Sequence, residues 1–514
     1  MSHNVFLDPS IAYPDADAGA DLVTDFAAAV RDWPDHAAVV HNGIATTYRD
    51  FAERVRLAAF RYRAGEFGVD RLSGLIGVLV SHTPEVAEHL LGILQAGATY
   101  CPIDAALPVA RRKELVAVLG VGEPWSLRID TLDGKSTASE TALPQTMWES
   151  DDPAYVLCTS GSTGVPKPVM VSRRALAVTV RALRELFGLT PDDRVLQFAS
   201  LGWDTCLEEI LPALTSGATL VFDDEAHTSS FQAFLRMLAE REITVLDLPT
   251  AFWHELVLFL HEEQTALPDS VRLMVIGGER VDPTRLRQWR DLDMGRVGLL
   301  NTYGCTETTM ITHAVQLSGP GTEPGVAARG AEAPLGRPLP HVRDHVTDEG
   351  ELLVSGPGLA TGYLGLPELT ATAFPVADHG FGRARWFHSG DLVIRGERGL
   401  LYSRGRTDEQ VKVLGVRVHP AEVEAQLNTH PAVGGAVVVG ERALGRTSLI
   451  AYVVPVAATT PGELKRHLGL RLPSQFVPSK VKFVTALRYT SSGKIDRAAT
   501  QRAAADCDSK GAGR

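Results

Sequence analysis

The sequence predicts an α/β protein in which a large N-terminal domain of layered, mostly parallel sheets with helices precedes a small α+β C-terminal domain. Three observations indicate this class. The length of 514 residues exceeds the size at which a single hydrophobic core stops growing. Strand-like apolar runs alternate with segments of helical period over most of the chain. From about residue 407, the elements become shorter. The expected domains are 1–406 and 407–514.

Each strand-like run of the first domain is followed by, or follows, a helical segment. The predicted strands are RLSGLIGVLV, AYVLCTS, ITVLDL and VRLMVIGG, and the predicted helices are PEVAEHLLGILQAG, RRALAVTVRALRELFG, FQAFLRMLAERE and AFWHELVLFLHEE. Polar or Gly/Pro-rich stretches at 126–152 and 318–334 are typical of surface loops. In the second domain, PAEVEAQLN and ELKRHLGL are expected to be helices, and AVGGAVVVG, SLIAYVVP and KVKFVTA to be strands.

Composition excludes several classes of function. The net charge of −12 argues against nucleic acid as the main partner. The acidic N-terminus lacks the apolar segment of a signal peptide, and no apolar run approaches the roughly 20 residues needed to span a bilayer. The five cysteines are scattered without metal-ligand spacing, which is typical of reduced thiols in a cytoplasmic protein.

The segment TSGSTGVPKPV, residues 159–169, follows a predicted strand and combines hydroxyls, glycines and a lysine. Such a density of short donors suits a phosphate-rich ligand, although the same composition also occurs in flexible connectors. The segment is not a P-loop, because Val-Pro separates Gly164 from Lys167 and Pro168 disfavours a helix at Lys167. The G-x-G-x-x-G pattern of dinucleotide-binding folds is absent as well.

Three further clusters, NTYGCTETT (301–309), FHSGD (387–391) and SSGKIDR (491–497), would each pass for a turn or a packing segment if taken alone. Together, and in this order, they resemble the adenylate-forming superfamily, specifically the amino-acid adenylation domains of nonribosomal peptide synthetases. The resemblance also covers TTYRDFAERV, LLGILQAGATYCPID, QFASLGWDTCLEEILPALTSGATL, GELLVSGPGLATGYLG and GRTDEQVKVLGVRVHPAEVE, and so extends over nearly the whole chain.

The resemblance implies ATP and Mg²⁺ as cofactors and assigns residues to each. The triphosphate would be held by Thr159, Ser160, Gly161, Ser162, Thr163, Gly164 and Lys167, and the nucleoside by Asn301, Tyr303, Asp391 and Arg406. Glu307 would bind the magnesium ion, since a hard cation prefers carboxylate and phosphate oxygens. Thr306 would lie near the α-phosphate, and Lys494 would bridge the substrate carboxylate and the α-phosphate, stabilising developing charge.

Two half-reactions with different nucleophiles cannot share one closed geometry, so the resemblance also implies a mobile C-terminal domain. Asp408 matches the hinge position of the family.

The amino acid would occupy a pocket whose positions follow from the same motifs: Asp204, Thr205, Glu208, Asp247, Met274, Ile276, Thr302, Met310 and Ile311. Asp204 would bind the α-ammonium group, although an aspartate before a helix is also a common N-cap. Glu208 and Asp247 would then remain among apolar neighbours. Two ionised carboxylates some 4 Å apart repel by about 4 kcal/mol even at an effective dielectric constant of 20.

We therefore expect a substrate with a cationic side chain, with lysine and ornithine ahead of 2,4-diaminobutyrate and arginine. Bulky Met274 and Ile276 would shorten the pocket and favour a diamino acid over a guanidine. The open alternative is that the two acids pair with a protein arginine or lysine.

The chain ends soon after SSGKIDR, so the acceptor is expected to be the phosphopantetheine thiol of a separate carrier protein. The resemblance leaves room for a small MbtH-like activator protein as well. Two alternatives remain open at this point: an acid–CoA ligase, and a non-catalytic adenylate-binding regulator.

Overall fold

The computed structural model describes residues 21–64, 74–122, 124, 149–161, 164–292, 294–324, 326, 332–443, 446–488 and 496–511. The chain forms two compact units. Unit 1 contains 1–105, 119–158 and 168–407, and unit 2 contains 106–118, 159–167 and 408–514. Within the described ranges, no helix has both the length and the apolar character needed to cross a membrane.

The helices and strands follow one another through both units. The helices are α1 (Leu22–Asp32), α2 (Tyr48–Ala64), α3 (Glu85–Gln95), α4 (Val109–Leu119), α5 (Arg173–Phe187), α6 (Thr205–Ser216), α7 (Phe231–Glu240), α8 (Thr250–Glu262), α9 (Pro283–Asp291), α10 (Pro367–Ala373), α11 (Pro420–Asn428), α12 (Pro461–Gly469) and α13 (Arg497–Gly511). The strands are β1 (Ala37–His41), β2 (Ile44–Thr47), β3 (Leu75–Val80), β4 (Thr99–Asp104), β5 (Pro153–Thr159), β6 (Lys167–Ser172), β7 (Arg194–Leu196), β8 (Thr219–Phe222), β9 (Val245–Pro249), β10 (Leu273–Gly277), β11 (Gly298–Gly304), β12 (Ile311–Ser318), β13 (Arg337–Pro338), β14 (Arg343–Val346), β15 (Glu351–Ser355), β16 (Gly362–Tyr363), β17 (Val376–Asp378), β18 (Arg383–Arg385), β19 (Phe387–Arg395), β20 (Leu401–Arg406), β21 (Val411–Val413), β22 (Val416–Val418), β23 (Val433–Ala443), β24 (Arg446–Pro455) and β25 (Lys480–Phe483).

The largest sheet of unit 1 has nine strands among the described residues, in the order β13-β12-β11-β10-β9-β7-β8-β1-β2. Its centre is parallel, from β11 through β10, β9, β7 and β8 to β1. Antiparallel pairs lie only towards its two edges. The sheet confirms the predicted α/β class with mostly parallel strands.

A second sheet of unit 1 has the order β16-β6-β5-β4-β3 and is parallel from β3 through β4 to β5. Strand β4 is buried along its whole length, as expected for a parallel strand covered on both faces. Helix α5 follows β6 in the chain. Its N-cap is Ser172, whose side chain accepts a hydrogen bond from the amide of Ala175, and its C-cap is Gly188, in the left-handed conformation.

A third sheet, β14-β15-β19-β20, is antiparallel throughout. The sequence did not predict it, because its apolar runs are no longer than three residues, LLV in β15 and LVI in β19. It carries Asp391 and Arg406, which pair across β19 and β20.

Unit 2 contains α4, the segment 159–167 and the elements from β21 onward. Strands β23, β24 and β25 form its main sheet, with β23 antiparallel and β25 parallel to β24. Helix α12 begins with a capping box between Thr460 and Glu463. All five predicted elements of the C-terminal segment are present, whereas the proposed boundary between residues 406 and 407 stays a prediction.

Candidate active site

Helix α6 places two acidic side chains on the same side, because Asp204 and Glu208 lie one helical turn apart. Asp204 stands before the helix but makes no capping hydrogen bond. Thr306 and the backbone of Met310 lie near its carboxyl group and act to lower its pKa. Burial raises the pKa of Asp204 to about 6, and the nearby Glu307 contributes to this rise. The N-cap alternative therefore does not describe this aspartate, and Thr205 follows it, half-buried, in the first turn.

Asp247 lies in the middle of β9, close enough to Glu208 for the two carboxyl groups to influence each other's pKa. Both side chains are buried, with residue exposures of 8% and 5%. Burial, together with the negative charges of Asp247 and Asp204, raises the pKa of Glu208 well above its ordinary value. Burial also raises the pKa of Asp247. Burial disfavours the charged form of both carboxyl groups, so one of them stays protonated unless a cation enters.

In the described part of the chain, no arginine or lysine forms an ion pair with Glu208 or Asp247. Oδ2 of Asp247 is buried and has no hydrogen-bonding partner among the described residues. The alternative that these acids neutralise a protein cation thus finds no support among the described residues.

The strand register corrects the positions of Met274 and Ile276. In the parallel pair of β9 and β10, Asp247 is aligned with Val275, while Met274 and Ile276 are aligned with Leu246 and Leu248. Successive side chains of a strand point to opposite faces. Met274 and Ile276 therefore lie on the face opposite Asp247, where they are fully buried in a separate core cluster.

Val275 and Gly277 share the face of Asp247 and replace Met274 and Ile276 as neighbours of the acid pair. A Cβ atom on Gly277 would lie 2.5 Å from Oγ1 of Thr302, so only glycine fits at this position. The Thr302 hydroxyl donates to the carbonyl of Ile276 at 3.0 Å. The predicted shortening of the pocket by Met274 and Ile276 therefore finds no support in the strand register.

Met310 and Ile311 are buried at the start of β12, in the same core cluster as Cys206 and Leu207 of α6. Thr309 and Met310 adopt φ angles of 58° and 67°. Left-handed backbone at two consecutive residues other than glycine is strained, and such strain is often found at functional sites.

Tyr303, Asp391 and Arg406 form one hydrogen-bonded cluster in unit 1. The Tyr303 hydroxyl donates to Oδ2 of Asp391 at 2.7 Å, and the Arg406 guanidinium donates to Oδ1 at 2.7 Å. The backbone amide of Asp391 donates a hydrogen bond of 3.0 Å to the hydroxyl oxygen of Ser389, which helps to orient Asp391. The structure thus brings together three side chains that the sequence assigns to the nucleoside.

Asn301 precedes Tyr303 in the chain, and the turn at Thr306 and Glu307 follows it. The Asn301 side-chain amide donates to the carbonyl of Pro334 at 2.8 Å. Glu307 is 3% exposed and accepts a hydrogen bond of 3.1 Å from the Tyr363 hydroxyl through Oε1. A buried carboxylate of this kind has the oxygen chemistry that Mg²⁺ prefers.

The predicted phosphate loop belongs to unit 2. The Ser160 hydroxyl donates to the carbonyl of Arg417 at 2.9 Å, and Oγ1 of Thr159 is buried without a partner among the described residues. The amide of Gly164, at a φ of 82°, donates to the carbonyl of Gly161 at 3.1 Å. Burial lowers the pKa of His419, and the positive charges of Arg497 and, to a smaller extent, Lys167 contribute to this shift.

Three predicted residues, Ser162, Thr163 and Lys494, lie outside the described residues. The predicted hinge residue Asp408 is the first residue of the last segment of unit 2, and its Oδ1 accepts from the amide of Gln410 at 3.2 Å. The functional roles assigned to all of these positions stay predictions.

Sequence reasoning missed Glu209, which lies next to Glu208 and is 1% exposed. Its carboxylate accepts from the amides of Phe198 and Ala199 at 3.0 Å and 2.9 Å, and from the side-chain amide of Gln197 at 3.1 Å. These bonds tie α6 to the segment after β7 and so fix the helix that carries Asp204 and Glu208. Two adjacent acids in the otherwise apolar run CLEEILPAL were the available signal.

Two family models match the chain. The model of the family described as "AMP-binding enzyme" matches residues 26–122 and 119–364, and that of the "AMP-binding enzyme C-terminal domain" matches residues 422–494. Together they cover most of the chain.

Relatives and solved structures agree with the family models. The chain is 39% identical over 486 residues to isonitrile lipopeptide synthase of Streptomyces coeruleorubidus, with 91% of the chain and 32% of that protein covered. It is 34% identical to novobiocin biosynthesis protein H of Streptomyces niveus, with 91% and 80% covered. The fold matches an artificially fused adenylation–PCP di-domain of a nonribosomal peptide synthetase from Klebsiella oxytoca, with a TM-score of 0.79, 24% identity, and 90% and 93% covered.

The chain thus spans about a third of the first relative and most of the second. The family models, the relatives and the fold agree with one another. The chain belongs to the AMP-binding enzyme family and is an adenylate-forming ligase that resembles the adenylation domains of nonribosomal peptide synthetases.

Proposed function

We propose that the protein uses ATP to convert an α-amino acid with a cationic side chain into its aminoacyl adenylate, and then transfers the aminoacyl group to the phosphopantetheine thiol of a carrier protein. The observation that carries the proposal is the buried pair of Glu208 and Asp247, which has no arginine or lysine partner among the described residues. Lysine and ornithine are the favoured substrates, and 2,4-diaminobutyrate and arginine follow.

Asp204 supports an amino acid rather than a simple carboxylic acid. Its Oδ2 is buried without a hydrogen-bonding partner in the described part of the chain, and its side chain does not cap α6. A buried carboxylate without a cation is unstable, because burial disfavours the charged form. The α-ammonium group of an amino acid supplies the missing charge.

The acid pair supports a cation at the far end of the substrate side chain. An ammonium group can donate to both carboxylates and offset their mutual repulsion, which is about 4 kcal/mol for unit charges 4 Å apart at an effective dielectric constant of 20. A neutral side chain would leave the pair without a cation, so one of the two carboxyl groups would have to stay protonated. Since the strand register places Val275 and Gly277 on the face of Asp247 in place of Met274 and Ile276, pocket length would no longer disfavour arginine.

The nucleotide would be held by the residues that the sequence assigns to it. Tyr303 would stack on adenine, and Asp391, oriented by Tyr303 and Arg406, would accept from the ribose hydroxyls. Thr306 would lie near the α-phosphate. The hydroxyls, amides and Lys167 of the segment 159–167 would hold the β- and γ-phosphates.

Adenylation requires the substrate carboxylate to be positioned in line with the α-phosphorus while the pyrophosphate leaves. Lys494 would contact both the carboxylate and the α-phosphate and stabilise the charge that develops between them. Glu307 would hold Mg²⁺, which neutralises phosphate charge when it is bound.

The acceptor would be a carrier-protein thiol. The Klebsiella oxytoca structure joins an adenylation domain to a PCP domain, which makes a carrier protein the expected partner of this chain. An MbtH-like activator is a further candidate partner, and a cytoplasmic location would suit these partners.

The test is an ATP–pyrophosphate exchange assay with a panel of amino acids and of fatty and aryl acids. The proposal predicts exchange that depends on a cationic amino acid. Exchange driven by a fatty or aryl acid would instead identify an acid–CoA ligase. Binding of adenylate without any exchange would identify a non-catalytic regulator.

A further inference from the structure

His313 is a fully buried histidine of β12 to which the proposed function gives no role. In the antiparallel pair of β11 and β12, it is aligned with Tyr303. The imidazole and the Tyr303 ring meet edge to face, with ring centroids 5.7 Å apart and an interplanar angle of 69°. Aromatic rings favour this arrangement, because the positive edge of one ring meets the negative face of the other. His313 therefore packs directly against the ring that would stack on adenine.

Thr312 connects the same two residues a second time. Its hydroxyl donates to the carbonyl of Tyr303 at 3.1 Å, and the hydroxyl oxygen lies 2.9 Å from Nδ1 of His313. All three residues are buried. The backbone of Tyr303 is thus held by Thr312, and its ring is held by His313.

Asp344 holds the other side of the imidazole. Nε2 of His313 lies 3.3 Å from Oδ2 of Asp344 in β14, and the guanidinium of Arg395 in β19 donates to the same oxygen at 2.8 Å. Because a carboxylate only accepts hydrogen bonds, Nε2 is the donor. The imidazole is therefore in contact with a polar partner at each of its two ring nitrogens.

These contacts form a closed circuit within unit 1. Tyr303 donates to Asp391 in β19 at 2.7 Å, and the same strand carries Arg395, which binds Asp344. Asp344 in turn binds His313, which packs against Tyr303. The nine-stranded sheet and the antiparallel sheet are thus joined both by Tyr303 with Asp391 and by His313 with Asp344. The hydroxyl bond by itself would let the tyrosine ring pivot, whereas the contact with His313 restricts that motion.

We propose that His313 is a positioning residue for ATP binding, which, held by Thr312 and Asp344, fixes the ring of Tyr303 in the orientation that stacks on adenine. This inference rests on the part of the proposed function that places adenine against Tyr303. His313 acts only through the tyrosine and does not contact the nucleotide. Without His313, the tyrosine ring has to be ordered when the nucleotide binds, and that ordering weakens binding.

The test measures the dissociation constant of α,β-methylene-ATP by isothermal titration calorimetry, with Mg²⁺ and without an amino acid. This analogue cannot be cleaved between its α- and β-phosphates, so the result depends neither on the identity of the amino acid nor on catalysis. The proteins compared are the wild type, His313→Leu, Tyr303→Leu and the double variant. His254→Leu is the matched control, because His254 of α8 is also buried and its Nε2 accepts from the amide of Asp282 at 2.9 Å.

We expect His313→Leu to raise the dissociation constant about 3- to 10-fold, as for the loss of one hydrogen bond, and His254→Leu to leave it unchanged. Tyr303→Leu already lacks the ring, so adding His313→Leu to it should have little further effect. His313→Gln, whose amide can still donate to Asp344, should bind the analogue more tightly than His313→Leu.

Urea unfolding checks that each variant folds. Asp344→Ala gives a second route to the same comparison, since it removes the acceptor of Nε2 and leaves His313 and Tyr303 in place. It should also raise the dissociation constant in the wild-type background and have little effect in the Tyr303→Leu background.

An unchanged dissociation constant in His313→Leu, or the same fold-change with and without the ring of Tyr303, would overturn the positioning role and leave the nucleotide assignment intact. An unchanged dissociation constant in Tyr303→Leu would overturn the placement of adenine against Tyr303, and the positioning role with it.

Discussion

The hydroxyl of Tyr303 donates a hydrogen bond of 2.7 Å to Oδ2 of Asp391, so a ring at the end of β11 and a carboxylate in β19 are held as one unit. The guanidinium of Arg406 completes the arrangement from the neighbouring strand. This pairing orients the carboxylate before any nucleotide binds. The ring that would stack on adenine also fixes the group that would bind the ribose.

Replacing Tyr303 by phenylalanine keeps the ring and removes the donor. We expect the KM for ATP to rise about 3- to 10-fold with little change in kcat, because one such hydrogen bond contributes about 1 kcal/mol. Pyrophosphate exchange at varied ATP concentrations measures this. The matched control is Tyr62→Phe, which removes a buried hydroxyl 2.7 Å from Nδ1 of His89 and should leave the KM for ATP unchanged. An unaltered KM in Tyr303→Phe would contradict the assignment.

Asp204 should reduce the stability of the ligand-free protein at neutral pH. Its folded-state pKa of about 6 lies above the ordinary value of about 3.9. The folded protein therefore keeps a proton that the unfolded chain has lost, and stability falls as the pH rises from about 4 to about 6. Above that range the full penalty applies, which is at most about 3 kcal/mol.

Asp204→Asn should therefore be more stable than the wild type at pH 8, and the gain should shrink towards pH 5. Urea unfolding at the two pH values measures the difference. Asp192→Asn, a change at an exposed position, serves as the control and should show no such dependence. The same gain at both pH values would argue against a raised pKa. Asp204→Asn should also lose amino-acid activation, since it removes the proposed partner of the α-ammonium group.

Gly304 permits the strained turn that leads into β12. A Cβ atom on Gly304 would lie 1.8 Å from the carbonyl oxygen of Met310, so Gly304→Ala must displace the backbone next to the pocket. We expect a loss of about 3 kcal/mol or more in the free energy of unfolding. Thermal and urea denaturation measure it. Gly295→Ala, where an added Cβ meets nothing within 4 Å, should have a small effect, and equal effects of the two changes would contradict this account.

Lys494 should matter for adenylation and little for thioester formation. Removing one preorganised charge contact typically costs about 10²–10³-fold in rate. Lys494→Ala should show this loss in pyrophosphate exchange, while transfer from preformed aminoacyl adenylate to the carrier continues. Lys480→Ala, at an exposed position of β25, is the control. Near-normal exchange by Lys494→Ala would show that the assignment is wrong.

The sequence predicts elements well where the hydrophobic period is unambiguous. The helix at 173–188 and the strands at 243–248 and 271–278 correspond to α5, β9 and β10. The sheet of β14, β15, β19 and β20 was not predicted, because its apolar runs are no longer than three residues.

The face of a buried strand is the feature that the sequence does not determine. Every residue of LMVIG in β10 is apolar or glycine, because both faces of the strand are covered. A shift of one residue exchanges the two faces, and the hydrophobic pattern does not reveal it. Only the register with Asp247 distinguishes Val275 and Gly277 from Met274 and Ile276. Asp247 itself was recognisable, since charged residues are rare in buried strands such as β9.

The measurement that tests the central claim most directly is pyrophosphate exchange by the wild type, Glu208→Gln and Asp247→Asn with lysine, ornithine, norleucine, leucine and phenylalanine. We predict that lysine or ornithine is preferred by the wild type, and that each variant lowers kcat/KM for the cationic substrates by about 10- to 100-fold, the usual cost of removing one partner of a buried charge contact. Activity with the neutral amino acids should be unchanged or higher. Preference for leucine or phenylalanine, unaffected by either substitution, would contradict the account.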